Sequence, residues 1–237
     1  KMLRIHGHLI GFNNNFTIYD QSDSTKLVRN CMRDSDIDTK QYSPKRIQAH
    51  ISSLKNQRIL PGEAVEFAQS FFDVKVAEIY SSYQKKLMLA NSMDFDDLLI
   101  KAVELLETSD KSLNYWSSKF QYIMIDEYQD TNMVQYRLVE LLASKHKNIC
   151  VVGDSDQSIY AFRGADIRNI EEFESDFKNA KVISLEKNYR SSQKILDIAN
   201  AVISNYPRKK DKKLWTENDE GLDVNLVEFN SERDESR

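Results

Sequence analysis

The fold of this chain is decided by the stretch Phe120-Gln-Tyr-Ile-Met-Ile-Asp126-Glu127-Tyr-Gln-Asp130-Thr131. Its apolar part, residues 122–125, predicts a short strand buried on both faces of a sheet. The strand stops at Asp126 and Glu127, and the apolar residues after them recur at helical spacing. Carboxylates at the carboxyl end of a buried parallel strand stand where open α/β sheets bind their ligands.

Two interpretations of this acid pair are open. One carboxylate can hold a hard cation such as Mg²⁺, directly or through water, and the other can orient and deprotonate an attacking water. Alternatively both acids are structural, because Asp and Glu also satisfy the free N–H groups at a helix N-terminus. The motifs that follow favour the first interpretation.

The two parts of the chain predict different architectures. The pattern of residues 1–93 predicts an almost wholly helical part, with a long helix at 63–90 whose apolar residues share one face. From residue 120 onward strands alternate with helices, which indicates a parallel sheet and an α/β fold. The predicted strands are residues 122–125, 148–152, 181–185 and 223–229, and the predicted helices between them are 133–145, 167–177 and 191–205.

Composition limits the functional classes. The 237 residues carry a net charge of only −4, so bulk charge does not indicate a nucleic-acid binder. Residues 1–60 hold ten Lys and Arg against five Asp and Glu, a balance that suits either phosphate contacts or a solvated helix face. Cys31 and Cys150 lack metal-type spacing, and neither a signal peptide nor a long apolar run occurs. A soluble, cytoplasmic protein that makes no membrane contact is therefore expected.

The second motif is Gly153-Asp-Ser-Asp-Gln-Ser-Ile-Tyr-Ala-Phe-Arg-Gly-Ala165, which follows the second predicted strand of the sheet. Gln157 can hydrogen-bond a terminal phosphate oxygen or an attacking water. Tyr160 and Phe162, with Arg163 beside them, offer two rings and a cation that suit stacked bases and a phosphate. The alternative is that both rings are buried packing residues, and spacing alone slightly favours it.

The third motif is Leu185-Glu-Lys-Asn-Tyr-Arg-Ser-Ser192. Arg190 can bring a fixed charge to a γ-phosphate, and Tyr189 can stack on a nucleobase. Taken alone, this arginine also suits a surface ion pair. Farther on, residues 207–213 form a basic connector that either faces phosphates or is simply solvated.

In this order, the three motifs resemble those of the UvrD/PcrA/Rep family of superfamily 1 DNA helicases, and the resemblance extends over most of the chain. It implies a RecA-like parallel sheet from a P-loop NTPase motor domain, together with a mostly helical insertion. Residues 1–93 resemble the insertion (domain 1B), residues 94–185 the later half of motor domain 1A, and residues 186–237 the start of motor domain 2A.

The resemblance also implies an ATP site. Asp126, together with Glu127, holds Mg²⁺, and Glu127 is the catalytic base for hydrolysis. Gln157 senses the γ-phosphate and couples it to DNA. Tyr189 packs on the adenine, and Arg190 acts as the arginine finger from the second motor domain.

Further implications concern DNA. Tyr160 and Phe162 contact single-stranded DNA, and Arg163 supports that surface. The family commonly has Trp where Phe162 stands, so stacking there is expected to survive with reduced strength. The expected partners are single-stranded DNA and its junctions with duplex. The implied activity is 3′-to-5′ translocation with duplex unwinding, in repair or replication.

The sequence contains no Gly-x-x-x-x-Gly-Lys-[Ser/Thr] loop to cradle phosphates. The resemblance places that loop upstream and the closing motifs of the second motor domain downstream. The expectation is therefore a helicase fragment that hydrolyses ATP feebly or not at all. Two alternatives stay open: the motor part of a helicase–nuclease subunit, and a non-enzymatic module that binds DNA or a protein partner.

Overall fold

The computed structural model describes residues 1–206 and 212–236, except for the side chain of Arg163. Most of the basic connector predicted at 207–213 lies outside these residues. The chain divides into two compact units, Lys1–Phe173 and Glu174–Arg237. In the described part of the chain, no helix has both the length and the apolar character required to cross a membrane.

The first part of unit 1 is mainly helical, as predicted for residues 1–93. Its elements, in chain order, are α1 (Met2–His6), β1 (Thr17–Ile18), α2 (Gln21–Asp34), α3 (Pro44–Asn56), α4 (Phe71–Leu89) and β2 (Ser92–Met93). The exception to the helical prediction is a small parallel ladder between β1 and β2, in which Thr17 lies opposite Ser92. This ladder ties the beginning of the helical part to its end.

Helix α4 confirms the predicted apolar face but begins later than residue 63. Ser70 caps the helix, because its Oγ accepts a hydrogen bond from the backbone N–H of Asp73 at 3.2 Å. The Asp73 carboxylate accepts in return from the Ser70 hydroxyl at 2.8 Å, and these bonds fix the helix start at Phe71. The buried residues of the predicted face are Val76, Ile79, Tyr80, Tyr83 and Leu87.

Unit 1 continues with the predicted alternation of strands and helices. The elements are α5 (Phe95–Thr108), α6 (Asp110–Lys119), β3 (Ile123–Ile125), α7 (Met133–Ala143), β4 (Ile149–Val151) and α8 (Arg168–Glu171), and α9 (Phe173–Asp176) begins at the last residue of unit 1. Strands β3 and β4 are parallel, with Ile123 opposite Ile149 and Ile125 opposite Val151. The acids that follow β3 and the glycine loop that follows β4 therefore leave the sheet at the same edge.

Three details of this part differ from the sequence-based prediction. Strand β3 is not buried on both faces, since 78% of Met124 is exposed and only two strands of this sheet lie within the described residues. Helix α6 was not predicted. The single helix expected at 167–177 consists instead of the two short helices α8 and α9.

Helix α5 joins the helical part of unit 1 to the sheet part. Leu105 packs in an apolar cluster with Leu3, Phe12, Phe16 and Met93. From the same helix, two other side chains belong to a second cluster, whose buried members are Val103, Leu106, Trp116, Val134 and Leu141. One helix thus contributes to both cores, and so fixes the two parts of the unit against each other.

A charged group is buried where α3 meets α5. Lys55 is fully buried, and its Nζ lies 2.6 Å from Oδ2 of Asp94 and 2.8 Å from Oδ1 of Asp97. Tyr83 donates its hydroxyl to Asp94 at 2.8 Å, and Gln84 donates its amide to Asp97 at 3.0 Å. This network fastens the carboxyl end of α3 to the first turn of α5.

Unit 2 contains α10 (Gln193–Ile203) and α11 (Glu232–Glu235). A parallel bridge pairs Lys187 with Trp215. The strands predicted at 181–185 and 223–229 are wrong, because these residues form no ladder in the structure. Leu185 and Leu226 are both exposed, so neither segment has the covered face that a strand requires.

Candidate functional site

Asp126 and Glu127 form a tight turn directly after β3, and both are exposed. Glu127 has φ 50° and ψ 44°, the left-handed region that a residue with a Cβ rarely adopts. The turn is held by two backbone donors at 2.9 Å each: the N–H of Glu127 bonds to Oδ1 of Asp126, and that of Asp130 bonds to the Glu127 carbonyl. Strain of this kind concentrates at functional sites.

A cleft of about 340 Å³ opens beside this turn. It is lined by the three carboxylates of Asp126, Glu127 and Asp130, together with apolar side chains from β3 and α7. Oδ1 of Asp130 is buried and has no hydrogen-bond partner among the described residues. The cleft therefore offers acidic oxygen atoms whose hydrogen-bonding capacity is not used up by the protein.

This set of oxygens suits a hydrated Mg²⁺. Mg²⁺ keeps several waters and is usually bound by one or two carboxylates together with substrate phosphates. Across residues 1–206 and 212–236, no three His, Cys, Asp or Glu side chains converge to enclose a metal ion. Asp126 and Glu127 supply carboxylate oxygens, the kind of ligand that this ion accepts from proteins.

The side chain of Gln129 connects the acid turn to the second motif. It is 1% exposed, donates from Nε2 to Oε2 of Glu127 at 2.8 Å, and accepts at Oε1 from the backbone N–H of Asp154 at 2.9 Å. A Cβ added to Gly153 would lie 2.5 Å from that Oε1, so the bridge requires glycine there. The role of Gln129 is not predicted from the sequence, because spacing within the motif does not reveal which polar side chain is buried.

Gln157 joins the same network. Asp154 caps the short 3₁₀ helix Ser155–Gln157, and its Oδ2 accepts from Nε2 of Gln157 at 2.9 Å. A continuous chain of hydrogen-bonded groups therefore runs from Gln157 through Asp154 and Gln129 to Glu127. Gln157 itself is exposed and can reach a ligand.

The aromatic loop, residues 158–165, follows this network. Phe162 is 78% exposed and Tyr160 is half-buried, with their ring centroids 5.9 Å apart. Gly164 ends the loop with φ 87°, a value that glycine adopts without strain. The alternative that both rings are buried packing residues is wrong for Phe162. The side chain of Arg163 lies outside the described part of the chain.

The third motif lies in unit 2, where Tyr189 and Arg190 are exposed. Asn188 shapes the turn, because its Oδ1 accepts from the backbone N–H of Arg190 at 2.9 Å and from that of Ser191 at 2.8 Å. This side-chain turn fixes the backbone of Arg190 while leaving its guanidinium in solvent.

Lys187 supports one ring of this motif. Its Nζ lies 5.3 Å from the ring centroid of Tyr189 and 5.3 Å from that of Trp215. It also pairs with Glu217 at 2.6 Å, and this hydrogen bond raises the pKa of Lys187. The cation thus links two exposed rings, which is an arrangement suited to presenting a flat surface to a nucleobase.

Comparisons with known proteins identify the family to which the chain is similar. The model of the UvrD/REP helicase N-terminal domain matches residues 1–178, and that of the UvrD-like helicase C-terminal domain matches residues 183–237. The chain is 46% identical over 236 residues to the ATP-dependent DNA helicase PcrA of Staphylococcus aureus (strain Mu50), and 46% identical over 232 residues to that of Bacillus subtilis (strain 168).

These matches cover 100% and 98% of the chain, but only 32% and 31% of the two relatives, so the chain spans about a third of their length. The first family model alone covers more than half of the chain. On these grounds the chain belongs to the UvrD/REP helicase family.

Proposed function

We propose that this chain is part of an ATP-dependent DNA helicase. The observation that carries the proposal is the Gln129 bridge, because it joins the acid turn to the loop that bears Gln157 and the exposed ring of Phe162. A motor needs such a link between phosphate chemistry and DNA contact. In this assignment residues 1–93 are the helical insertion, 94–185 the later half of a RecA-like motor domain, and 186–237 the start of the second.

ATP hydrolysis is assigned to the acid turn. Glu127 takes the proton of the attacking water, and its bond to Gln129 keeps the carboxylate oriented for that task. Asp126, assisted by Glu127, holds Mg²⁺, which when bound neutralises charge on the phosphate oxygens. Gln157 contacts the γ-phosphate or the attacking water, and loss of that contact is transmitted through Asp154.

The third motif, which lies in unit 2, is also assigned to nucleotide binding in this proposal. Tyr189 packs on the adenine with the ring that Lys187 supports. Arg190 provides a fixed, delocalised charge for the γ-phosphate, and the Asn188 turn sets the direction in which its side chain leaves the backbone.

DNA contact is assigned to the aromatic loop. The exposed Phe162 ring stacks on an unpaired base, and Tyr160 and Arg163 support it; such stacking contributes about 1–3 kcal/mol per base. Because every base has a flat face, this contact suits movement along DNA of any sequence. We assign the whole protein to the cytoplasm and to repair or replication, with single-stranded DNA and its junctions with duplex as partners.

The 237 residues alone should hydrolyse ATP feebly or not at all, because they contain no Gly-rich loop with Lys to hold the β- and γ-phosphates. Steady-state ATPase measurements with and without single-stranded DNA test this part of the proposal. Rapid DNA-stimulated turnover by the isolated chain would contradict it.

Strand displacement by the full-length protein tests the proposed activity. With ATP and Mg²⁺, we expect unwinding of a duplex with a 3′ single-stranded tail and much slower unwinding of its 5′-tailed counterpart. The variant Glu127→Gln serves as the control for hydrolysis-driven unwinding. Unwinding that continues at the same rate in this variant, or without ATP, would refute the assignment.

A further inference from the structure

The carboxyl end of helix α3 contacts the segment that follows the acid turn and the end of the aromatic loop. Asn56, the last residue of α3, is half-buried, and its Oδ1 accepts a hydrogen bond from Nδ2 of Asn132 at 2.5 Å. Its own Nδ2 donates to the Ser52 carbonyl at 2.8 Å and to Oδ1 of Asp96 at 3.3 Å. Both ends of this amide are thus engaged, one toward α7 and the other toward α5.

Asn132 ties this contact to the acid turn. It is buried and caps helix α7, with its Oδ1 accepting from the backbone N–H of Gln135 at 2.9 Å. The residue before it, Thr131, accepts at its carbonyl from the N–H of Asp166 at 2.9 Å and from Nδ2 of Asn169 at 3.0 Å. The segment that leaves the acid turn is therefore fastened to α3 on one side and to the residues after the aromatic loop on the other.

The aromatic loop meets α3 at the same place. A Cβ added to Gly164 would lie 3.1 Å from Cβ of Asn56, so the end of the loop rests against the last turn of the helix. The neighbouring Lys55 holds that turn in place through its buried bonds to Asp94 and Asp97. Three contacts therefore close around Asn56: the acid-turn segment, the aromatic loop and the start of α5.

We propose that Asn56 is a positioning residue through which the helical insertion couples DNA contact at the aromatic loop to ATP hydrolysis at the acid turn. Coupling between sites requires a contiguous element that both sites bias, and the end of α3 contacts the segments of both. This inference rests on the proposed function. It adds a connection that is separate from Gln157 and Gln129, because it passes through the insertion rather than through the sheet edge.

The test uses the full-length protein carrying Asn56→Leu, a change of similar volume that removes both hydrogen-bonding groups. We expect ATP turnover stimulated by single-stranded DNA to fall about 10-fold, while unstimulated turnover changes less than about 2-fold. The matched control is Gln57→Leu, since Gln57 directly follows α3, is exposed, and donates from its amide only to the Ser53 hydroxyl of that helix at 3.1 Å among the described contacts. This control should retain normal stimulation.

A pair of charge variants separates positioning from simple loss of folding. Asn56→Asp places a second carboxylate beside Asp96, and we expect it to lose stimulation as Asn56→Leu does. Adding Asp96→Asn should restore at least half of the stimulation, because the amide introduced at position 96 can donate to the carboxylate at position 56. A loss of folding unrelated to the contact between positions 56 and 96 predicts no such rescue, so the absence of rescue would overturn the inference.

The outcomes distinguish this inference from the function on which it rests. If the wild-type protein shows no turnover stimulated by single-stranded DNA, the proposed function fails. If the wild-type protein is stimulated and Asn56→Leu keeps the same ratio of stimulated to unstimulated turnover, the coupling role of Asn56 fails. Equal losses of stimulated and unstimulated turnover would also contradict it, because they indicate general damage to the acid turn.

Discussion

Replacing Lys55 by Met tests the buried charge network that holds α3 against α5. Methionine keeps a long unbranched side chain but removes the cation that contacts both Asp94 and Asp97. Breaking a buried ion pair by removing one partner typically costs about 3–5 kcal/mol, because the remaining charge is left uncompensated. Here two carboxylates are left, so we expect unfolding free energy to fall by about 4 kcal/mol.

The pKa values of this network give the prediction a pH dependence. Burial alone lowers the pKa of Lys55, but the charges of Asp97 and Asp94 outweigh burial and raise it. The stability that Lys55 contributes is therefore complete below its ordinary pKa of 10.5 and is lost only as the pH rises through the higher folded value. At neutral pH the full penalty of Lys55→Met should be observed.

Acidification should reduce that penalty. Burial raises the pKa of Asp97 and outweighs the opposing charge of Lys55, with a smaller raising contribution from the charge of Asp94. A carboxyl group with a raised folded pKa costs stability while it is ionised, and this cost disappears as the pH falls through that pKa. Removing the charge of Lys55, which lowers the pKa of Asp97, raises that pKa further in the variant. Lys55→Met should therefore gain more stability on acidification than the wild type, and the difference between them should shrink.

Urea denaturation monitored by circular dichroism at several pH values measures these differences. The control is Lys55→Met combined with Asp94→Asn and Asp97→Asn, which removes the uncompensated charge and should recover more than half of the lost stability. A penalty below about 1 kcal/mol at neutral pH, within the range of exposed ion pairs, would refute the reasoning. So would a penalty that does not change on acidification.

Three further predictions concern single positions. Gly153→Ala should destabilise the protein by about 1–3 kcal/mol in urea, since the new Cβ overlaps the Gln129 amide; a loss below about 0.5 kcal/mol would contradict this. Gln129→Leu should lower ATP turnover of the full-length protein about 10-fold, with less than about 3-fold change in nucleotide affinity. Losses of similar size in turnover and in nucleotide affinity would instead assign Gln129 a role in binding. Burial raises the pKa of Glu107, but the hydrogen bond from Arg137 and the charge of Arg58 outweigh burial and lower it. The stability that ionised Glu107 contributes should therefore be lost as the pH falls below 4.5 and through the lower folded pKa. Glu107→Gln should therefore flatten the acid side of the stability profile measured by urea denaturation, and an unchanged profile would argue against it.

The sequence predicts the elements whose signals are local. The alternation around β3 and β4, the shared sheet edge and the apolar face of α4 all follow from residue periodicity. The start of α4 does not follow from periodicity, because the apolar pattern continues upstream of the Ser70–Asp73 cap that begins the helix. Periodicity shows which face is covered, but the capping hydrogen bonds decide where a helix begins.

Other features depend on partners that periodicity cannot supply. Residues 181–185 and 223–229 have strand-like sequences, yet strands also need neighbours for their backbone groups. Among the residues of this region that the structure describes, the one bridge outside a named strand pairs Lys187 with Trp215. The burial of Lys55 and the roles of Gln129 and Asn56 arise from tertiary contacts with distant residues. A polar residue in a sequence is not marked as buried until its partners are known.

The most direct test of the central claim, that Glu127 is the base of an ATP-driven motor, is DNA-stimulated ATP hydrolysis by the full-length protein carrying Glu127→Gln. Nucleotide affinity is measured on the same preparation, so that loss of binding is not mistaken for loss of chemistry. We predict that turnover falls by about 10²-fold or more while nucleotide affinity is retained, because the amide cannot accept the proton of water. Turnover close to that of the wild-type protein would contradict the account.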